Sequence, residues 1–263
     1  MGPSGSALLR RTGRGLALGG VLLATLTACS SDELPTFAMP VRDATNQSER
    51  ILSLWQGSWI AALAVGVITW GLILWPVVAF RRKRNATGLP PQTRYNLPIE
   101  VFYTAVPLIM IAVFFYFTAR DEDKITALSA NPDHRITVTG VQWSWQFTYA
   151  SDGSDTTTVT GTPGKPPTLY LPQGESVQFT LHSNDVIHSF WVPAFLFKMD
   201  VIPGRTNHFE ITPKQRGTFK GKCAELCGQD HSRMLFNVKV VTPGDYHTYV
   251  SNLQQRLVEG SAQ

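Results

Sequence analysis

The spacing of apolar and polar positions divides the chain into two unlike halves. Residues 51–80 are thirty consecutive positions without Asp, Glu, Lys, Arg or His, and residues 101–119 are nineteen more. A helix rises about 1.5 Å per residue, so each run can cross roughly 30 Å of hydrocarbon. Trp55, Trp59, Trp75 and Tyr116 fall toward the ends of these runs, where amphipathic rings favour the membrane interface. The pattern predicts two membrane helices, over 51–80 and 99–119, in preference to buried helices of a soluble fold. After a charged junction at 120–124 the pattern changes to short β-branched and aromatic runs broken by Gly, Pro, Asn and Asp. Such runs predict strands, over 135–139, 142–149, 168–171, 176–183, 206–211, 217–222 and 234–241. Seven of them suggest a small antiparallel sandwich or barrel spanning 125–242. The Ser-, Thr-, Asp- and Gly-rich stretch 151–165 reads as an exposed hairpin or loop. Tyr246, Tyr249, Val250, Leu253 and Leu257 recur at helical spacing, so 243–263 is expected to be a surface-packed helix and tail.

Charge adds an orientation. The 263 residues are 43% hydrophobic and 16% charged, with a net charge of +4, enough chain for one ordinary domain plus membrane segments. Arg81, Arg82, Lys83, Arg84 and Arg94 all fall in the connection 81–98, which has no acidic residue. The positive-inside rule places that connection in the cytoplasm and both ends of the chain outside. No basic stripe interleaved with aromatics accompanies it, so nucleic acid is not an expected partner. The amino terminus agrees: Arg10, Arg11 and Arg14 precede an apolar run ending at Thr27, the layout of a signal peptide over 1–28. Leu26-Thr27-Ala28-Cys29 resembles a bacterial lipobox. It predicts cleavage before Cys29, acylation of that cysteine, anchoring in membrane lipid and an exported segment over 29–50. The competing reading is an uncleaved anchor with an ordinary buried cysteine. Glu100 heads the second apolar run, where a carboxylate either serves the membrane domain or simply marks a helix start.

The candidate chemistry lies near the carboxyl end. The twelve residues from Cys223 to Met234 hold Cys223, Cys227, His231 and Met234 in the spacing Cys-x3-Cys-x3-His-x2-Met. His188, thirty-five residues upstream of Cys223, is expected at the end of the 176–183 strand, where a sandwich can bring it to the loop. Thiolate, imidazole and thioether are the ligand types copper favours. Two cysteines can bridge two copper ions, each ion taking one histidine, with Met234 and a backbone carbonyl as weak ligands. Such a site needs no open position, so it moves electrons and binds no substrate. A disulfide between Cys223 and Cys227 leaves His231 and Met234 unexplained. A zinc site has no use for the thioether, and mononuclear blue copper needs one cysteine. His134, His182, His208 and His247 occur singly along the chain and are expected to be ordinary strand or surface residues, as are Met39 and Met110. Met199 is expected to pack beside the His188 segment.

These features together resemble cytochrome c oxidase subunit II. The resemblance rests on the helix pair, Gln142-Trp143-Ser144-Trp145-Gln146-Phe147, the segment from Asp185 to Pro193, Lys198-Met199-Asp200-Val201-Ile202-Pro203-Gly204-Arg205, and the cysteine loop. It implies a membrane-anchored all-β protein, a two-helix transmembrane hairpin followed by a cupredoxin-like sandwich, in the bacterial cell membrane. It implies binuclear copper held by His188, Cys223, Cys227, His231, Met234 and the carbonyl of Glu225. The Glu225 carboxylate would reach a magnesium or manganese ion shared with subunit I. Trp143 would admit electrons, Glu100 would stand at the mouth of a proton path, and Asp200 and Arg205 would face subunit I. Subunits I and III would be partners, with haem only in subunit I. The chain has Ser144 where the pattern usually carries a second aromatic, and no Cys-x2-Cys-His follows the copper domain. The donor would therefore be a separate cytochrome c, or a cytochrome c domain of a neighbouring complex. A quinol-oxidising relative would lack the copper ligands, a soluble copper domain of the nitrous oxide reductase kind would lack the helices, and a copper-delivering lipoprotein would not need Glu100 or Trp143.

Overall fold

A computed structural model describes residues 36–39, 43–81, 88–89, 92–151 and 153–261, with the side chains of 151, 153–156 and 257–261 left out. Cys29 lies outside the described residues. Residues 36–39 belong to a separate amino-terminal unit and form one turn, in which the Thr36 hydroxyl donates to the Met39 carbonyl at 2.8 Å. Everything that follows concerns the unit from Val41 onward.

Two helices, α1 (Ser48–Ala79) and α2 (Leu97–Ile125), are long and apolar enough to cross a membrane. α2 starts cleanly because Asn96 caps it, accepting from Ile99 N at 3.4 Å, while Pro98 pre-sets the backbone of the first turn. Where the helices meet the rest of the unit, the buried Asp121 carboxylate takes both Arg50 (3.2 Å) and Arg120 (2.9 Å).

Ten strands follow among the described residues: β1 (His134–Val141), β2 (Ser144–Ser151), β3 (Gly153–Thr160), β4 (Thr168–Pro172), β5 (Val177–Ser183), β6 (His188–Val192), β7 (Phe197–Val201), β8 (Asn207–Ile211), β9 (Gly217–Cys223) and β10 (Leu235–Val241). They form two five-stranded sheets in the orders β3-β2-β1-β5-β8 and β4-β10-β9-β6-β7. The sandwich expected from the turn spacing is present, with three corrections. The pairing is mixed, because β1–β5 and β4–β10 run parallel. β3, β6 and β7 raise the strand count, and His188 opens its own strand instead of ending the one before. Gln142 and Trp143 occupy the turn between β1 and β2, so the strand expected at 142 starts at Ser144. Of the two readings for 151–165, the hairpin holds, as β2 and β3 pair antiparallel.

Side chains at alternate positions of β2, Trp145, Phe147 and Tyr149, are sealed between the sheets. Phe190 stacks on Phe236 with centroids 4.7 Å apart, and Trp145 meets both edge-on at 5.7 and 5.5 Å. Each aromatic pair contributes roughly 0.5–1.5 kcal/mol beyond its buried area. The sandwich is tied to α1 through its lead-in: Lys214 N donates to Ala44 O at 2.9 Å, and Asn46 and Thr212 exchange two hydrogen bonds. A last helix, α3 (Pro243–Ser261), is capped by Thr242 through Asp245 N at 3.2 Å. It lays Tyr246 into the core and stacks Tyr249 on Tyr170 at 3.7 Å.

Candidate metal centre

The cysteine loop is the connection between β9 and β10. Its mouth is closed by Cys223 N donating to Met234 O at 3.0 Å, and Ala224 N donates to Ser189 O on β6 at 3.0 Å. These bonds anchor both ends of the loop to the second sheet. Within it a single 3₁₀ turn (His231–Arg233) aims His231 inward. Gly228 has φ +119, and a Cβ there would sit 3.1 Å from the Trp143 indole nitrogen. Only glycine supplies both that backbone angle and that space. Gly140 has a related role on β1, since a Cβ would come 2.7 Å from the His188 ring.

Five side chains and one carbonyl converge. Cys223 Sγ lies 3.8 Å from Cys227 Sγ, 3.9 Å from His188 Nδ1 and 3.2 Å from Glu225 O. Cys227 Sγ lies 3.5 Å from His231 Nδ1 and 3.7 Å from Met234 Sδ. At 3.8 Å the sulfurs are not bonded to each other, since a disulfide spans about 2.05 Å, and both cysteines are free. His188 and Met234 are fully buried, His231 half-buried. A cleft of about 480 Å³, lined by Trp191, Lys198, Lys222 and His231, gives the site one open flank.

The electrostatics ask for a cation. Burial pushes the Cys223 thiol up, but the His188 ring and the Glu225 backbone outweigh it and bring the pKa down to about 7. Burial and then the Cys223 charge push Cys227 up to about 12. The Cys223 thiol thus ionises before the Cys227 thiol, and added positive charge beside them favours both as thiolates. Burial opposes charge on His188, yet the Cys223 sulfur and the Asp185 carboxylate raise its pKa above the ordinary value. Asp185 Oδ1 holds His188 Nε2 at 2.8 Å. That bond occupies the far nitrogen and leaves Nδ1 facing the sulfurs, the arrangement a metal-binding imidazole needs. Two thiols, two imidazoles, a thioether and a carbonyl in one buried cluster match the preferences of copper; the thioether has no counterpart in zinc sites.

Three supporting residues carried no role in the sequence reading. Asp185 also accepts from Gln142 N at 2.6 Å, and Gln142 Nε2 donates to Cys227 O at 2.8 Å. Trp145, sealed in the core, donates from its indole to Met234 O at 3.3 Å. Asp185 stands three residues before His188, a spacing that signals its role; Gln142 and Trp145 leave no such trace. Trp143 is half-buried and donates to Cys227 O at 3.1 Å. The Glu225 side chain is exposed. Asp200 on β7 and Arg205 after it are also exposed, and Asn207 joins them by donating to Asp200 O at 2.8 Å and accepting from Arg205 Nε at 3.1 Å. Glu100 is at the opposite end of α2 from the sandwich, where its carboxylate accepts from Asn96 N at 3.1 Å. Met199 pairs with Phe190 across β6 and β7 and is half-buried against the core.

Comparison with known proteins gives a consistent result. Residues 166–241 match the family described as cytochrome c oxidase subunit II, periplasmic domain. A probable cytochrome c oxidase subunit 2 of Streptomyces avermitilis is 51% identical over 90% of this chain and 85% of its own length. The cytochrome c oxidase subunit 2 of Mycobacterium tuberculosis is 36% identical over 92% of this chain and 80% of its own. Among solved structures, the periplasmic domain of subunit II of cytochrome oxidase (CoxB) of Bradyrhizobium japonicum aligns with 49% of this chain and 99% of its own. Its TM-score is 0.45 and its identity 30%.

Proposed function

The chain belongs to the cytochrome c oxidase subunit II family, and we propose that it accepts electrons from cytochrome c and passes them to haem in subunit I. There dioxygen is reduced to water while protons cross the membrane. The observation that carries this reading is the convergence of six donors at the β9–β10 loop. His188, Cys223, Cys227, His231, Met234 and the Glu225 carbonyl would hold two copper ions. Bound there, the copper pair would supply a one-electron relay that changes charge with little rearrangement.

The residues of the chain do the positioning. Asp185 fixes the His188 tautomer, and the hydrogen bonds from Gln142 and Trp143 to the Cys227 carbonyl hold the loop against the β1–β2 turn. Trp143 presents an indole that reaches both the surface and the loop, which supports electron entry there. The exposed Glu225 carboxylate is free to reach a magnesium or manganese ion shared with subunit I, and exposed Asp200 and Arg205 suit the same boundary. Glu100 serves the entrance of a proton path, in addition to capping α2. Subunit III completes the complex. The donor is a separate cytochrome c or a cytochrome c domain of a neighbouring complex. The basic connection 81–98 lies in the cytoplasm, with both termini and the sandwich outside a bacterial cell membrane. The signal over 1–28 is removed and Cys29 is lipidated.

The test is copper content and spectroscopy on the full chain in detergent. Two copper ions per chain, with one unpaired electron shared over both nuclei by electron paramagnetic resonance, is the expected result. A single copper, or zinc alone, overturns the binuclear assignment. In the assembled oxidase, Glu100→Ala is expected to slow turnover with the copper signal unchanged; unaltered turnover removes Glu100 from the proton path.

A further inference from the structure

At the other end of β1 from the cysteine loop, three side chains that stand apart in the sequence meet. His134 opens β1, Glu175 lies in the turn between β4 and β5, and His247 sits early in α3. The expectation that these histidines are isolated is corrected: one ligand atom from each of the three lies within 4.8 Å of the others. His134 Nε2 is 2.7 Å from Glu175 Oε2. The His134 and His247 rings are 5.7 Å apart, and buried Tyr246 walls His134 edge-on at 4.7 Å. The nearby carboxylates are already engaged. Asp133 accepts from Ser176 N and Oγ at 2.7 and 2.8 Å, and Asp245 from Thr242 Oγ1 at 2.7 Å.

We propose that His134, Glu175 and His247 form a second metal site, taking a zinc-class divalent ion that clips α3 to the first sheet and the β4–β5 turn. Two imidazoles and a carboxylate are a recurrent zinc donor set, with ligand bonds of about 2.0–2.2 Å. Tetrahedral ligands at that length stand roughly 3.3 Å apart. The His134–Glu175 pair therefore opens slightly while exposed His247 rotates in. The absence of sulfur among the three disfavours copper(I), and the two nitrogens disfavour magnesium and calcium. His247 faces solvent, leaving a fourth position to water. The ion binds only when α3 is docked, so it stabilises the docked state by mass action. β1 has eight residues, and seven rises of about 3.3 Å separate this site from the cysteine loop.

The experiment uses the full chain in detergent, given no more copper than the thiol loop takes up, so that the thiols are occupied and the histidine–carboxylate cluster stays empty of copper(II), which would outcompete zinc there. Zinc is then titrated calorimetrically and all metals are counted; cobalt(II) serves as an optical probe of geometry. One zinc per chain beyond the copper, with tetrahedral cobalt absorption, is expected. His247→Ala and Glu175→Gln each weaken zinc binding by about 100-fold or more, since even lost outer partners cost 10–100-fold. His208→Ala, at an exposed histidine whose Nδ1 lies 3.3 Å from the Thr180 hydroxyl, leaves it unchanged. The copper resonance stays the same in all variants. Zinc taken up only as copper is lost, no uptake by the unaltered chain, or equal uptake by His247→Ala overturns the site. The zinc count does not depend on how many copper ions the loop holds.

Discussion

In the sandwich, Trp145, Phe147 and Tyr149 are sealed away, whereas in the helix pair Val67, Leu72 and Phe115 stand 73%, 70% and 72% exposed and the sealed side chains include Ser48 and Asp121. Both regions obey one rule under different solvents. Water surrounds the strands, so apolar groups go between the sheets; hydrocarbon suits the outside of the helices, which leaves their few polar groups to meet one another. The candidate metal centre belongs to the first regime. Its sulfurs and His188 are buried in the same interior as Phe190 and Phe236.

Reversing the rule in each region gives the largest effects. Trp145→Ala removes a ring that touches Phe190, Phe236 and the Met234 carbonyl, and is expected to cost about 3–5 kcal/mol in urea unfolding of the full chain in detergent. Val67→Asp puts a carboxylate on the exposed face of α1 and is expected to oppose membrane insertion by about 2.5–3.5 kcal/mol in an integration assay. The same carboxylate in the sandwich, as Thr218→Asp on the exposed side of β9, is expected to stay within about 0.5 kcal/mol. Asp185→Asn leaves both regions folded and lowers copper affinity about 10–100-fold, read by metal competition. Asp121→Asn, which unclasps Arg50 and Arg120, is the mildest of the losses expected in the helix pair. Both arginines are partly exposed, at 35% and 42%, so only a small loss of thermal stability is expected. Raising ionic strength should shrink that difference in thermal unfolding.

The contrast also governs what could be read from the chain. The helices announce themselves because a membrane-facing surface must be apolar all round, and an uncharged run needs no partner to be recognised. Strand direction leaves no such mark: nothing local in 134–141 or 177–183 says that β1 and β5 run parallel, since that follows from the chain crossing to the other sheet through β4 between them. β6 and β7 escaped because Pro193 and its 3₁₀ turn interrupt one apolar stretch into two short strands. Cys223, Cys227, His231 and Met234 were legible because one loop carries all four. His134, Glu175 and His247 were not, because a strand, a turn and a helix each supply one.

The closure of the cysteine loop sets an order of assembly. Its mouth is the antiparallel pairing of β9 with β10, in which Leu235 faces Lys222, so closing it spans only the twelve residues between and carries a small entropic cost. His188 arrives through a different contact, the pairing of Phe190 with Cys223 across β6 and β9, which must close a longer stretch of chain. Local contacts form faster than distant ones. During refolding the loop therefore offers two sulfurs, one imidazole and a thioether before the second imidazole arrives. Metal added early meets a nascent nest of four side-chain donors and metal added late meets the finished five, so the timing of delivery becomes a handle on the kinetics of maturation.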